Sequence, residues 1–254
     1  MTALHHEIIG SDGPALLLGG SLGTTLRMWD GQLPLAQRLR LVRFDHRGHG
    51  GSPVPPGPYE IADLGRDVLE LMDTLGLQHA HYCGLSIGAM VGLWLAGHAP
   101  DRVKLLILLC TAAYMPPASY WQERARVVRE AGSVEPIADG VLARWLTPEF
   151  AASHPELAAA LHAMLAAAPF EGYAACCGAI ERMDLRGVLG TIRSPTLVIS
   201  GDRDPSTPPK QQELIARAIP GARHEIVAPA AHLAAVEQPE SINRLILEHL
   251  SNDR

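Results

Sequence analysis

Short runs of apolar residues alternate along this chain with longer stretches in which apolar residues recur every three or four positions. The short runs predict buried strands at Ala15–Leu18, Leu39–Phe44, His79–Gly84, Val103–Cys110, Thr196–Ser200 and His224–Val227. The longer stretches predict amphipathic helices at Tyr59–Leu75, Ile87–His98, Lys210–Ala218 and near Pro239–Leu250. Buried strands separated by helices are typical of a parallel sheet covered on both faces, so the pattern predicts the α/β class.

The alternation stops between residues 114 and 183, where helix-period stretches follow one another without a strand-like run. The helices predicted there are Ser119–Ala131, Val134–Leu146, Pro155–Ala168 and Glu171–Met183. We therefore predict a core made of residues 1–113 and 184–254, with residues 114–183 inserted as a helical cap. The insertion holds 7 of the 12 aromatic residues, so we expect some of these rings to line a pocket beneath the cap.

Composition narrows the classes of partner. The 254 residues carry a formal net charge of −6 without a basic run or stripe, so nucleic acid is not an expected partner. The N-terminus lacks the charged and then apolar pattern of a secretion signal, and no apolar run is long enough to span a bilayer. We therefore expect a cytoplasmic protein without a membrane partner, whose four cysteines are reduced thiols in the core.

The first motif with chemical content is Gly84-Leu85-Ser86-Ile87-Gly88, which has the form GxSxG. The pattern alone is a weak signal, but here it lies between a predicted strand and a predicted helix. That setting is typical of a nucleophile elbow, a sharp turn that strains the backbone of the serine and exposes its hydroxyl at the carboxyl end of the sheet. We predict Ser86 as the nucleophile.

A serine hydroxyl needs a base, and the base needs an orienting carboxylate. In hydrolases with this elbow, the acid and then the histidine follow the serine along the chain. Asp202 and Asp204 both lie in the loop after the strand Thr196–Ser200; we favour Asp204 as the acid and expect Asp202 to serve a turn or a helix cap. His232 follows the last predicted strand and is the predicted base, whereas His249 is expected at the surface.

The oxyanion of an acyl-transfer reaction is held by preorganised N–H groups. Ile87 supplies one such group, because it directly follows the predicted nucleophile. The second is expected from the loop after the first predicted strand, where Ser21 is favoured and Leu22 comes next. The glycines of this loop lack the GxGxxG spacing of a nucleotide site, and no histidine–carboxylate set has zinc spacing, so we expect neither metal nor cofactor. The motif at residues 45–52 is interpreted mainly as structural support, with substrate contact as the alternative.

Over essentially the whole chain, these residues resemble the α/β-hydrolase superfamily, and within it the bacterial 3-oxoadipate enol-lactonases. The resemblance is carried by the segments Ser21–Asp30 (SLGTTLRMWD), Asp45–Gly50 (DHRGHG), Ser52–Tyr59 (SPVPPGPY), Cys83–Gly88 (CGLSIG) and Glu171–Cys177 (EGYAACC). The chain departs from that family at Ala89, where a third glycine is frequent, and at Gly19-Gly20, where Ser-Asn is frequent.

The resemblance implies the α/β-hydrolase fold, with a mostly parallel central sheet flanked by helices and a helical cap. It also implies a serine hydrolase that opens a small enol-lactone, converting 3-oxoadipate enol-lactone to 3-oxoadipate in the β-ketoadipate pathway of aromatic degradation. Two alternatives stay open: a carboxylesterase of broader small-ester and lactone specificity, and a non-catalytic ligand-binding protein that keeps the fold.

The implied lactone carries a carboxylate, which should meet a cation or several N–H donors as it leaves water. The insertion has only five basic residues, all arginines, against eight acidic ones. We expect Arg124, near Trp121, or Arg144, beside Trp145, to face the pocket with its neighbouring ring, and Leu22 to contact substrate from the core side. The alternative is that these arginines are solvated.

Overall fold

The computed structural model describes residues 3–10 and 13–251 of the chain. Its centre is a seven-stranded sheet whose spatial order is β1-β3-β2-β4-β5-β6-β7. The strands are β1 His6–Ile9, β2 Ala15–Gly19, β3 Arg40–Phe44, β4 Ala80–Leu85, β5 Val103–Leu109, β6 Thr196–Gly201 and β7 Arg223–Val227. All neighbouring pairs are parallel except β1 with β3. The predicted α/β class is confirmed.

Strand β4 lies in the middle of the sheet between β2 and β5, and all six of its residues are buried. The carboxyl ends of parallel strands meet at one edge of such a sheet, which is where loops can bring distant residues together. The six predicted strands are all present. The seventh, β1, was not predicted, because its four residues HEII are half polar and mostly only half-buried.

The helices are α1 Ile61–Thr74, α2 Ile87–His98, α3 Ala118–Ala131, α4 Glu135–Trp145, α5 Pro148–Ser153, α6 Pro155–Ala166, α7 Phe170–Arg182, α8 Pro209–Ala218, α9 Ala234–Glu237 and α10 Pro239–Ser251. Short 3-10 helices cover Leu26–Gln37, Pro100–Arg102 and Arg186–Thr191. Helix α2 is apolar on all sides and packs against α1, β4 and β5, so it belongs to the interior of the molecule.

Helices α3 to α7 follow one another between β5 and β6, where the sequence predicts an insertion. Helix α3 packs against α7, and α4 packs against α6 and α3. At the base of this unit the two chain crossings are joined, because Tyr114 and Asp184 form an antiparallel bridge and the Leu185 N–H donates to the Ala113 carbonyl at 2.8 Å. The division at residues 113/114 and 183/184 stays a prediction, and this bridge is the contact on which it can be judged.

No single helix within residues 3–10 and 13–251 is long and apolar enough to cross a membrane. Helices α6 and α7 together reach that length and composition, but they are bent by 88° relative to each other. All four cysteines are buried free thiols. His249, expected at the surface, is buried instead, with its Nε2 3.1 Å from the Pro195 carbonyl oxygen.

Candidate active site

Ser86 lies at the turn between β4 and α2 with φ 58° and ψ −117°, a backbone conformation that residues other than glycine rarely adopt. The turn is held by its neighbours, since the Ser86 N–H donates to the Leu109 carbonyl and the Thr111 hydroxyl donates to the Ser86 carbonyl, each at 3.0 Å. This is the strand–turn–helix geometry predicted from the GxSxG pattern.

Both glycines of the pattern are required by close backbone approach. A methyl group on Gly84 would lie 2.4 Å from the Gly88 carbonyl carbon, and one on Gly88 would lie 2.2 Å from the Gly19 carbonyl oxygen. No side chain fits at such distances. The small residues therefore let the first turn of α2 lie directly against β4 and the loop after β2, which presents Ser86 at the carboxyl edge of the sheet.

The loops after β6 and β7 bring Asp204 and His232 into contact. Asp204 Oδ2 lies 2.9 Å from His232 Nδ1, and both side chains are almost completely buried. Asp204 also accepts from the backbone N–H groups of Ser206 and Thr207 at 2.8 and 3.0 Å and from the Thr207 hydroxyl at 2.7 Å. Burial opposes ionisation, but His232 and the Thr207 donors outweigh it and hold the pKa of Asp204 below its usual value.

Asp202, the other aspartate of this loop, makes different contacts. Its Oδ1 accepts from the Ala230 N–H at 2.8 Å, and its Oδ2 lies 3.8 Å from Arg203 Nε. It thus joins the loop after β6 to the loop after β7 without touching the imidazole. Asp204 is the aspartate that the structure places against His232.

The candidate oxyanion donors lie on two sides of Ser86. Ile87 is the first residue of α2, and Ser21 and Leu22 line the cavity in front of Ser86. The Ser21 N–H donates to Met28 Sδ at 3.2 Å, which is a weak acceptor. Within the described residues, the Leu22 N–H has no hydrogen-bond acceptor. The Leu22 N–H is therefore free to donate to an oxyanion, whereas the Ser21 N–H would first have to leave its hydrogen bond to the Met28 sulfur.

The motif at residues 45–52 supports this loop. Asp45 Oδ1 accepts from the Leu26 N–H at 2.6 Å, and His49 Nε2 accepts from the Gly23 N–H at 2.9 Å. His49 Nδ1 lies 3.2 Å from the Arg47 carbonyl, so the imidazole is neutral, with its proton on Nδ1. Neither Asp45 nor His49 lines the cavity, and the structural interpretation of the motif accounts for its contacts.

Buried neutral histidines make this support sensitive to acid. Burial and the neighbouring His49 lower the pKa of His46 to about 3, and burial lowers the pKa of His49. In the unfolded chain both histidines bind a proton near pH 6.5, whereas in the native state they bind it only at a lower pH. The contribution of these two histidines to the free energy of unfolding should therefore be constant above pH 6.5 and fall below it by about 1.4 kcal/mol per pH unit for each histidine.

Urea unfolding between pH 7.5 and pH 4 measures this slope. His49→Gln keeps an acceptor for Gly23 and a donor for the Arg47 carbonyl but does not titrate, so the slope should become shallower. His154→Gln is the control, because His154 is exposed on the cap. Equal slopes for the wild type and His49→Gln would contradict the assignment of a neutral, buried His49.

In front of Ser86 lies a narrow cavity between the carboxyl edge of the sheet and helices α3, α4 and α7. Its lining includes every predicted substrate-contact residue, namely Leu22, Trp121, Arg124, Arg144 and Trp145, together with Ser21, Ser86 and His232. Sequence reasoning missed the remaining lining residues, which are Met90, Met115, Val141, Ile180, Ser206 and Thr207. Met90, Val141 and Ile180 are ordinary apolar residues of helices, and only Thr207, three positions after Asp204, was marked by its sequence position.

Arg124 is an unusual cation. Its guanidinium is enclosed by the rings of Tyr120, Trp121 and Tyr173, whose centroids lie 5.4–5.9 Å away. It donates to the hydroxyls of Tyr120, at 3.1 Å, and Tyr173, while its Nε is buried without an acceptor. Among the described residues, no carboxylate lies within 4.0 Å of it. Arg144 likewise has no ion-pair partner there, and both arginines also border an outer, more open pocket between α3 and α4.

No group of three or more His, Cys, Asp or Glu side chains within residues 3–10 and 13–251 is placed to hold a metal ion. What the arrangement offers is a strained serine, a histidine oriented by a buried carboxylate, N–H donors beside the serine and unpaired cations across the cavity. Such a set is suited to acyl transfer from an anionic ester.

Comparison with known proteins agrees with this chemistry. A family model described as the alpha/beta hydrolase fold matches residues 13–141 and 142–239. The chain is 41% identical over 246 residues to 3-oxoadipate enol-lactonase 2 of Acinetobacter baylyi, covering 96% of this chain and 91% of that protein. The enol-lactonase from Burkholderia xenovorans LB400 superposes with a TM-score of 0.96 at 38% identity, covering 98% and 97% of the two chains. A thermophilic esterase from Thermogutta terrifontis, with malate bound, superposes with a TM-score of 0.91 at 30% identity over 98% and 93%. These relatives confirm the resemblance recognised in the sequence.

Proposed function

The chain belongs to the α/β-hydrolase family, and we propose that it hydrolyses 3-oxoadipate enol-lactone to 3-oxoadipate, with Ser86 as the nucleophile. The observation that carries the proposal is the contact between Asp204 and His232 at the edge of a cavity that also exposes Ser86 and an unpaired guanidinium. The similarity to enol-lactonases supports this substrate, and we propose a cytoplasmic enzyme of the β-ketoadipate pathway.

In the first half-reaction, the Ser86 Oγ attacks the lactone carbonyl carbon while its proton moves to His232 Nε2. Asp204 faces Nδ1, so that nitrogen keeps its proton and Nε2 is free to accept. The negative charge on the carbonyl oxygen is held by the N–H groups of Ile87 and of Leu22 or Ser21. The tetrahedral intermediate then breaks the ring C–O bond, and the departing enol oxygen takes the proton from Nε2.

In the second half-reaction, the opened chain is an ester of Ser86 whose free enol tautomerises to a ketone. His232 Nε2 removes a proton from water, and the resulting hydroxide adds to the acyl carbon. Collapse of this second intermediate breaks the bond to Ser86 Oγ, which recovers the proton from Nε2. The product leaves as 3-oxoadipate, and the triad is restored without a change in the oxidation state of any group.

Arg124 is proposed to receive the carboxylate of the lactone. Its guanidinium is partly enclosed, with Nε fully buried, and no carboxylate of the described residues pairs with it. An incoming carboxylate therefore gains a charge-assisted hydrogen bond without breaking an ion pair. The three aromatic rings keep the guanidinium in place while the site is empty. Arg144 is proposed as a second contact on the opposite helix of the cap.

Arg124→Met should raise KM for the enol-lactone by ~10-fold or more, which corresponds to the loss of about 1.5–3 kcal/mol of a hydrogen bond to a charged group. A neutral lactone of the same ring size should be nearly unaffected. Arg126→Met is the matched control, because Arg126 lies on the same helix but is exposed and paired with Glu123 and Glu130. Equal effects on both lactones, or none on either, would remove Arg124 from carboxylate recognition.

The second candidate function is a broader esterase, which the 30% identity to the Thermogutta esterase favours. Steady-state turnover of freshly generated enol-lactone, compared with γ-butyrolactone and p-nitrophenyl acetate, separates the two. An enol-lactonase should have a kcat/KM for the enol-lactone at least ~10-fold above that for either simple compound, because only the enol-lactone uses the Arg124 contact. Comparable values for all three compounds would favour the esterase.

A further inference from the structure

Glu237 is a buried carboxylate that the acyl-transfer mechanism does not use. It ends the short helix α9, five residues after His232, and is 6% exposed. Its Oε2 accepts from the Ala231 N–H at 2.5 Å. Its Oε1 accepts from both the N–H and the hydroxyl of Thr147, at 2.8 and 2.7 Å. Within the described residues it has no cation partner, so these N–H and O–H donors alone hold its charge.

The donors come from two parts of the chain with different tasks. Ala231 directly precedes His232. Thr147 is the N-cap residue of α5 and lies two residues after the end of α4, the helix that carries Arg144 and Trp145 into the cavity. The same two parts are joined by backbone bonds, since the His232 N–H donates to the Arg144 carbonyl at 3.3 Å and the Leu233 N–H donates to the Trp145 carbonyl at 2.9 Å.

We propose that Glu237 is a positioning residue that fixes the His232 loop to the cap and so sets where His232 Nε2 lies relative to Ser86. A carboxylate is required because every facing group is a donor, and an acceptor-only side chain satisfies all of them. This role rests on the proposed function only in that His232 acts as a base; it is independent of which ester is hydrolysed.

The position of the loop matters because proton transfer depends steeply on distance, and a displacement near 1 Å can cost ~100-fold in rate. The clamp also joins the base to the cap segment at Arg144 and Trp145. A shift of that segment is therefore transmitted to the base through the Glu237 contacts together with the two backbone bonds to Arg144 and Trp145.

Glu237→Gln tests this. Its amide NH₂ must face either Ala231 N–H or the Thr147 donors, so a donor opposes a donor. Rates per active site, titrated with a fluorophosphonate, are measured on p-nitrophenyl acetate and on the enol-lactone. We expect kcat to fall ~10- to 100-fold on both substrates, with KM within about 3-fold of the wild-type value. Glu240→Gln, the same change at an exposed position three residues later, should be neutral.

A lower melting temperature with an unchanged kcat per titrated site would overturn the proposal, because it would make Glu237 merely structural. If Glu237→Gln does not fold, Thr147→Val decides, since it removes the hydroxyl donor from Oε1 together with the cap acceptor for the Phe150 N–H, which is 3.3 Å away. The kcat should then fall at least ~3-fold, and an unchanged kcat overturns the proposal. If the wild type turns over p-nitrophenyl acetate but not the enol-lactone, the proposed substrate fails while the Glu237 test still stands.

Discussion

Replacing Ser86 with alanine should lower kcat for the enol-lactone and for p-nitrophenyl acetate by about 10^6-fold. In the proposed mechanism the Ser86 oxygen forms the covalent bond, so no neighbouring group can take over its part of the reaction. The backbone at residue 86 is held by the Leu109 carbonyl and the Thr111 hydroxyl, and alanine leaves both contacts in place. The melting temperature should therefore stay within a few degrees of the wild-type value.

The measurement is the steady-state rate of hydrolysis by the purified variant. Purification must bring the activity of contaminating esterases below the residual activity expected for Ser86→Ala. Ser251→Ala is the control, because Ser251 is exposed at the end of the C-terminal helix and its hydroxyl donates to the Leu247 carbonyl. A Ser86→Ala enzyme that retains a tenth of the wild-type kcat would exclude the acyl-enzyme mechanism. A fluorophosphonate should label the wild type but not Ser86→Ala, and this result would identify the reacting oxygen independently.

The sheet could be predicted from the sequence because its strands are buried on both faces and form continuous apolar runs, as in β4 and β5. Strand β1 could not, since it lies at the edge of the sheet and is held chiefly by pairing with β3 rather than by its own burial. The 3-10 helix at Leu26–Gln37 was missed for a related reason. Gly31 and Pro34 interrupt any helical period there, and the segment is instead held by contacts to β3, α9 and α10.

That Ser86, Asp204 and His232 lie at one edge of the sheet was predictable, because each follows a strand that the sequence marks clearly and parallel strands end at one edge. The environment of Arg124 was not predictable, because Tyr173 comes from helix α7, 49 residues away. The sequence places Arg124 near Trp121, but it does not show that Arg124 has no carboxylate partner among the described residues. The Glu237 contacts were hidden for the same reason, since Thr147 lies 90 residues earlier and nothing local distinguishes Glu237 from a solvated helix residue.

Asp204→Asn should lower kcat by about 10^4-fold, and the contacts of this aspartate show why. Oδ1 accepts from two backbone N–H groups, of Ser206 and Thr207, so the oxygen of an asparagine would occupy that position. Its NH₂ group must then face His232 Nδ1. The imidazole can accept that hydrogen bond only by moving its proton to Nε2, and in that tautomer it cannot take the proton of Ser86.

Asp202→Asn is the matched comparison, two residues earlier in the same loop. Its amide oxygen can still accept from the Ala230 N–H, and no imidazole depends on its second oxygen, so kcat should stay within a few-fold of the wild-type value. The two variants are compared by kcat on p-nitrophenyl acetate from pH 6 to pH 9, with folding checked by circular dichroism. A larger loss in Asp202→Asn than in Asp204→Asn would transfer the orienting role to Asp202, and it would mean that the loop after β6 rearranges when substrate binds.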